Sequence, residues 1–106
     1  DLASKNHEKN IFQIVKKAIS DSGISLNDID GIAVTSYPGL LSSLIVGLNF
    51  AKGLSLSLKK PILGINHLEG HLSSNIINNN NIEFPYLCLI VSGGHTQIWL
   101  VKRHLY

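Results

Sequence analysis

The sequence is poor in several residues whose abundance marks particular classes of protein. It has a single cysteine, Cys88, so no disulfide framework holds the chain together. A lone cysteine inside an apolar run is usually a small hydrophobic side chain, and this usage is typical of a reducing, cytosolic setting. Charged residues make up only 15% and the net charge is +2, which is too weak to argue for or against nucleic acid. Hydrophobic residues reach 44%, which predicts a globular fold.

Long uninterrupted apolar runs and methionine are also absent. The nearest approach to a membrane span, residues 40–58, is broken by several serines, Asn49 and Lys52, so we expect no membrane segment. The chain opens at Asp1 and contains no methionine. Because an expressed gene begins with methionine, we expect a processed or partial chain.

The first part of the chain alternates helical and strand patterns. Residues 5–22 predict an amphipathic helix with a buried stripe that Gly23 caps, and residues 25–28 predict a short capped turn. Residues 31–36 and 61–66 predict two buried strands, and residues 40–58 predict the helix between them. A third helix begins near His67 and fades into the asparagines at 78–81. The stripe of the first helix comprises Ile11, Ile14, Val15, Ala18 and Ile19.

The pattern changes after Pro85. Two strands, Tyr86 to Val91 and Thr96 to Val101, surround a Gly-Gly turn and predict a β-hairpin. The whole is therefore predicted to be α/β, with a parallel pair of strands joined by a crossover helix. We expect residues 1–81 to belong to one domain, and residues 82–106 to hold the linker end and the opening hairpin of a second.

Two histidines follow the second strand in "GINHLEGHLSS". His67 and His71 lie four residues apart, a spacing by which a helix offers two ligands to one divalent ion. Glu69 does not directly follow His67, so the general base of the zinc-protease pattern is not in its usual place. Taken alone, the spacing favours two partly exposed histidines at a helix start, because short motifs match often by chance.

A second motif, "VSGGHT" at residues 91–96, follows the first hairpin strand. Glycines at such a turn let backbone N–H groups approach a phosphate or a planar polar group closely. It is not a Walker loop, because no Gly-Lys-Ser/Thr and no helix follow. Taken alone, the motif favours an ordinary Gly-Gly turn, and His95 is ambiguous there.

Taken together, these segments resemble the tRNA N6-adenosine threonylcarbamoyltransferase family of the bacterial TsaD type. The resemblance runs through "DLASKNH", "DIDGIAVT", "PGLLSSLIVGLNFAKGLSLSLKKPILGINHLEGHL" and "FPYLCLIVSGGHTQIWLV". It implies an actin-like, sugar-kinase-type ATPase fold, of which this chain supplies most of the first domain and the opening hairpin of the second. It also implies a cytoplasmic enzyme that moves a threonylcarbamoyl group from threonylcarbamoyl-AMP to the N6 amine of the adenosine beside the tRNA anticodon.

The resemblance also implies roles for particular residues. His67 and His71 would hold one divalent metal ion, iron or possibly zinc, that acts as a Lewis acid, with the third ligand outside this chain. The hairpin would bind the adenylate substrate, and the helices at 5–22 and 40–58 would pair with a paralogous partner subunit. No residue is matched to a catalytic acid or base. The residues matched to adenylate binding are Ile90, Val91, Ser92, Gly93 and Gly94.

The chain departs from the family pattern at the loop before its second helix. The family usually has Ala-Gly before Pro-Gly, and this chain has Ser36 and Tyr37, which puts a close-approach role of that loop in doubt. Two alternatives to the transferase stay open. One is a metal-dependent peptidase or hydrolase, and the other is an inactive fragment or non-catalytic partner module of the same fold.

Overall fold

A computed structural model describes residues 2–77, 81–92 and 96–103 of the chain. Their contacts divide into two units, and the division falls directly after His67. The domain boundary predicted between residues 81 and 82 stays a prediction, because it refers to the domains of a longer protein. The elements in chain order are α1 (Leu2–Ser22), a 3₁₀ turn (Leu26–Asp28), β1 (Ile32–Tyr37), α2 (Leu41–Leu58), β2 (Ile62–Asn66), α3 (His67–Ile77), β3 (Tyr86–Val91) and β4 (Thr96–Val101).

The first unit is built on a parallel pair of strands. β1 and β2 pair in parallel from Ile32 opposite Ile62 to Tyr37 opposite Asn66, with a register shift between Thr35 and Tyr37. α2 connects the two strands and packs on β1, and α1 packs on α2. This arrangement confirms the predicted crossover, since parallel strands cannot be joined by a tight turn.

The carboxyl end of α1 was predicted correctly, whereas the burial of the helix was not. The helix ends as predicted at Gly23, whose φ of 71° lies in the left-handed region, and the predicted capped turn follows with Ser25 and Asp28 forming a capping box. The predicted buried stripe is wrong: no described residue of α1 is buried, and Ile14 is 64% exposed. α2 contacts α1 but leaves every described residue of α1 at least partly exposed.

The two strands of the first unit are less covered than predicted. Both were expected to be buried, yet β1 alternates between half-buried and exposed residues and β2 contains no buried residue. α2 covers one face of the pair, and the opposite face lies open in the described structure. The runs of β-branched residues therefore predicted both strands correctly, but they did not indicate which element packs on each face of the strands.

α2 is closer to the length and hydropathy of a membrane span than we expected. By length and composition alone, Leu41–Leu58 is apolar enough to cross a bilayer, with a mean hydropathy of 1.4. Its serines and single lysine lower the hydropathy less than expected. α1 and β1 pack against it, as they do around the core helix of an α/β unit, and Ala51 is its one buried residue among those described.

The second unit contains most of α3 and the hairpin. β3 and β4 pair antiparallel with the predicted bounds, from Tyr86 opposite Val101 to Val91 opposite Thr96. The core consists of Leu72 from α3 with Ile90 and Val101 from the hairpin. The other hairpin face, here called the open hairpin face, consists of side chains that are 56–71% exposed: Leu87, Leu89, Val91, Ile98 and Leu100.

Candidate metal and substrate site

Both predicted metal ligands lie in the first turns of α3. β2 ends at Asn66, and His67 is the first residue of the helix, so the pair directly follows the carboxyl end of a parallel strand. A spacing of four residues puts two side chains on one helix face, one turn apart. Both histidines are exposed. Both histidines therefore belong to one continuous helix.

The donor set fits half of a divalent metal site. Imidazole nitrogens suit both iron and zinc, but a protein site needs at least three ligands. Among residues 2–77, 81–92 and 96–103, no group of three His, Cys, Asp or Glu side chains comes together. Glu69 is half-buried and lies two residues after His67, a spacing at which helix side chains do not face each other.

Polar side chains hold the main chain of α3 at His71. Ser74 Oγ donates a hydrogen bond to the His71 carbonyl at 2.8 Å, and Asn75 Nδ2 donates to the same oxygen at 3.2 Å. Asn75 Nδ2 also lies 3.6 Å from the sulfur of Cys88 on β3. Cys88 is half-buried beside the core, consistent with its expected role as a small hydrophobic residue.

A groove of about 880 Å³ lies within the first unit. The first half of α1, the middle of β1 and the start of α2 line it, and His67 and His7 both contribute. Ser43 also lines the groove, and its hydroxyl is buried with no hydrogen-bond partner. Sequence reasoning missed His7 and Ser43 because no local pattern distinguishes them, and only the packing of α1 and α2 brings them to one groove.

The chain departs from the family pattern at Ser36 and Tyr37, which lie at the carboxyl end of β1. Tyr37 is the last residue of β1 and pairs in register with Asn66, the residue before His67. Its side chain is 59% exposed. Ser36 donates a hydrogen bond from its hydroxyl to the Ile65 carbonyl at 3.3 Å, which ties the two strand ends together.

The predicted adenylate residues divide into three kinds. Ile90 is 8% exposed and packs in the core, so any ligand contact from it goes through the backbone. Val91 and Ser92 are exposed at the end of β3. Gly93 and Gly94 lie outside the described residues. The described residues therefore do not test whether the turn between β3 and β4 binds the adenylate.

A model of the TsaD family, tRNA N6-adenosine threonylcarbamoyltransferase, matches residues 1–106. The chain belongs to this family. A tRNA N6-adenosine threonylcarbamoyltransferase of Clostridium perfringens is 50% identical over 104 residues, which is 98% of this chain and 31% of the relative. One from Thermosipho melanesiensis is 50% identical over 103 residues, or 97% of this chain and 32% of the relative. The chain thus spans about a third of the length of these curated relatives.

Solved structures bear on the fold. YeaZ from Pseudomonas aeruginosa matches with a TM-score of 0.64 at 16% identity, over 88% of this chain and 49% of that one. A crystal structure of a protein described as similar to peptidase YEAZ, also from Pseudomonas aeruginosa, matches with the same TM-score. At this identity the likeness concerns the fold alone, and it confirms the predicted α/β architecture of the actin-like class.

Proposed function

We propose that this chain is part of an enzyme that transfers a threonylcarbamoyl group from threonylcarbamoyl-AMP to the N6 amine of the adenosine beside the tRNA anticodon. The observation that carries the proposal is the histidine pair on the first turns of α3, in a chain that is 50% identical to such a transferase over 98% of its length. In this reaction the N6 nitrogen forms a bond to the carbamoyl carbon. The bond from that carbon to the phosphate oxygen breaks, AMP leaves, and N6 loses a proton.

His67 and His71 are the residues of this chain that would hold a divalent metal ion, iron or possibly zinc. A bound ion supplies Lewis-acid stabilisation of the carbonyl oxygen as negative charge develops there. The pair is exposed at the end of a parallel strand, where ligands of open α/β sheets bind. The third ligand would come from outside this chain.

The hairpin would bind the adenylate through its turn. The main chain of Ile90, Val91, Ser92, Gly93 and Gly94 would supply N–H donors and carbonyl acceptors, as glycine-rich turns do for phosphates. The burial of Ile90 supports a backbone role, because its side chain fills the core and keeps that end of β3 fixed. No general acid or base is assigned to this chain.

The partners would be tRNA and a paralogous subunit. We propose that the helices predicted at 5–22 and 40–58, here α1 and α2, form the subunit interface. Large apolar side chains on both helices support it, because they lie in solvent: Phe12, Ile14, Leu41, Ile45 and Leu56. The enzyme would act in the cytoplasm, and residues 1–81 and 82–106 would belong to its first and second domains.

The test uses the full-length protein together with its partner subunits. Transfer is measured by mass spectrometry of threonylcarbamoyladenosine in digested tRNA, and bound metal is measured by elemental analysis. His67→Ala is expected to abolish transfer and to lower the bound metal, because only one of the two histidine ligands of this chain remains. Ile77→Ala is the matched control on the same helix, since it shortens an apolar side chain that is 76% exposed and lies at the far end of α3 from the histidines.

Two results would contradict the proposal. Wild-type protein that binds metal but modifies no tRNA would exclude the transferase. Peptide hydrolysis that a chelator and Glu69→Gln both abolish would instead favour the hydrolase alternative, because it would assign Glu69 as a general base.

A further inference from the structure

Tyr37 occupies the carboxyl end of β1 beside the first metal-binding histidine. It pairs with Asn66, and His67 follows Asn66 directly. Because neighbouring strands lie about 4.8 Å apart and consecutive Cα atoms about 3.8 Å, the Cα atoms of Tyr37 and His67 lie within about 9 Å of each other. A tyrosine at this position therefore borders whatever binds at His67.

The ring of Tyr37 is open to a ligand. Its neighbours Thr35 and Pro38 line the groove that His67 also lines, whereas Tyr37 lies outside that groove and is 59% exposed. Ser36 fixes the adjacent backbone through its bond to the Ile65 carbonyl. An aromatic ring on a fixed backbone loses little conformational freedom when it contacts a ligand, since only two side-chain torsions are involved.

Ligands of open parallel sheets bind beyond the carboxyl ends of the strands, where Tyr37 lies. Both substrates of the proposed reaction carry an adenine base. Exposed tyrosines bind such bases by stacking, which contributes about 1–3 kcal/mol per base.

We propose that Tyr37 is a substrate-binding residue whose ring stacks on an adenine base held beside His67. This rests on the proposed function for the identity of the base. The adenine belongs either to the tRNA or to the adenylate substrate, and the experiment separates these two sources.

The experiment measures binding rather than turnover. Full-length protein with its partner subunit is titrated with a fluorescent anticodon stem-loop RNA and, separately, with AMP. Tyr37→Ala is expected to weaken one of the two by about 5- to 150-fold, which is the stacking energy converted to an affinity ratio. Tyr37→Phe keeps the ring and is expected to stay within about twofold of wild type.

Leu63→Ala is the matched control. Leu63 is 57% exposed on the same pair of strands but lies near the amino end of β2, away from the carboxyl edge. It is expected to leave both affinities at the wild-type value. Thermal melts of each variant verify that the protein is folded.

Weaker RNA binding by Tyr37→Ala means that the ring stacks on a base of the tRNA. Weaker AMP binding means that the ring stacks on the adenine of the adenylate substrate. Unchanged binding of both probes overturns the proposal, and so does a Tyr37→Phe variant as weak as Tyr37→Ala, because the hydroxyl would then be responsible. The transfer assay tests the proposed function separately. If the wild-type protein modifies tRNA but Tyr37→Ala binds both probes as tightly as the wild type, only the stacking proposal is refuted.

Discussion

The close approach of β2 to β1 makes a sharp prediction for Gly64→Ala. A Cβ atom added at Gly64 would lie 3.0 Å from Ser36 Oγ and 3.3 Å from Ser36 Cβ. Both distances are shorter than ordinary van der Waals contact. Rotating the serine away would break its hydrogen bond to the Ile65 carbonyl. The substitution therefore crowds the Ser36 Cβ and also weakens or breaks the hydrogen bond from its hydroxyl.

The magnitude follows from three contributions. Overpacking costs about 1–3 kcal/mol, and the lost hydrogen bond costs about 0.5–1.5 kcal/mol. The reduced entropy of the unfolded chain offsets about 0.4–1 kcal/mol of this. We expect a net destabilisation of about 2 kcal/mol, which is roughly a thirtyfold rise in local opening of the strand pair.

Hydrogen exchange of the full-length protein measures that opening in peptides that cover β1 and β2. Ser36→Ala removes the closest atom, so in its background Gly64→Ala is expected to cost less than about 1 kcal/mol, a coupling typical of residues in contact. Gly53→Ala on α2 is the control, because nothing lies within 4 Å of its added Cβ. An equal cost of Gly64→Ala in both backgrounds, or none at all, would refute the reasoning.

Two further substitutions test the core of the second unit and the end of α1. Leu72→Ala is expected to cost about 2–5 kcal/mol, because Leu72 is 1% exposed, whereas Leu72→Met, which keeps the volume, is expected to cost under about 1.5 kcal/mol. Hydrogen exchange in α3 and the hairpin measures both, and equal effects would contradict the packing. Gly23→Ala is expected to cost about 1 kcal/mol through its left-handed backbone alone, since its Cβ would meet nothing within 4 Å, and Gly23→Asn less. Thermal melting compares the two, and a stabilising Gly23→Ala would contradict the cap.

The hairpin and the helix ends were the parts of the fold that sequence reasoning predicted best. Tyr86 to Val91 and Thr96 to Val101 were predicted with their observed bounds, because a run of apolar residues on each side of the glycines defines each strand. Gly23 ended α1 as predicted, since a left-handed cap depends on one residue. Signals of this kind are local, so the sequence contains them completely.

Burial could not be predicted in the same way. The pattern around Ile14 indicates a face of α1, but which element packs on that face depends on residues far along the chain. The position of Tyr37 opposite Asn66 depends likewise on the register of two strands separated by α2. The histidine pair could be found because its spacing lies within one helix, whereas His7 reaches the groove beside His67 only through the packing of the first unit.

The open hairpin face has a consequence for how this gene tolerates mutation. Each of its five side chains already lies in solvent in the described hairpin, so a polar replacement removes no contact within it. Any selection against polar residues at Leu87, Leu89, Val91, Ile98 and Leu100 must therefore come from whatever covers the face in the cell. The pattern of tolerated substitutions along these two strands would outline that covering surface, one residue at a time.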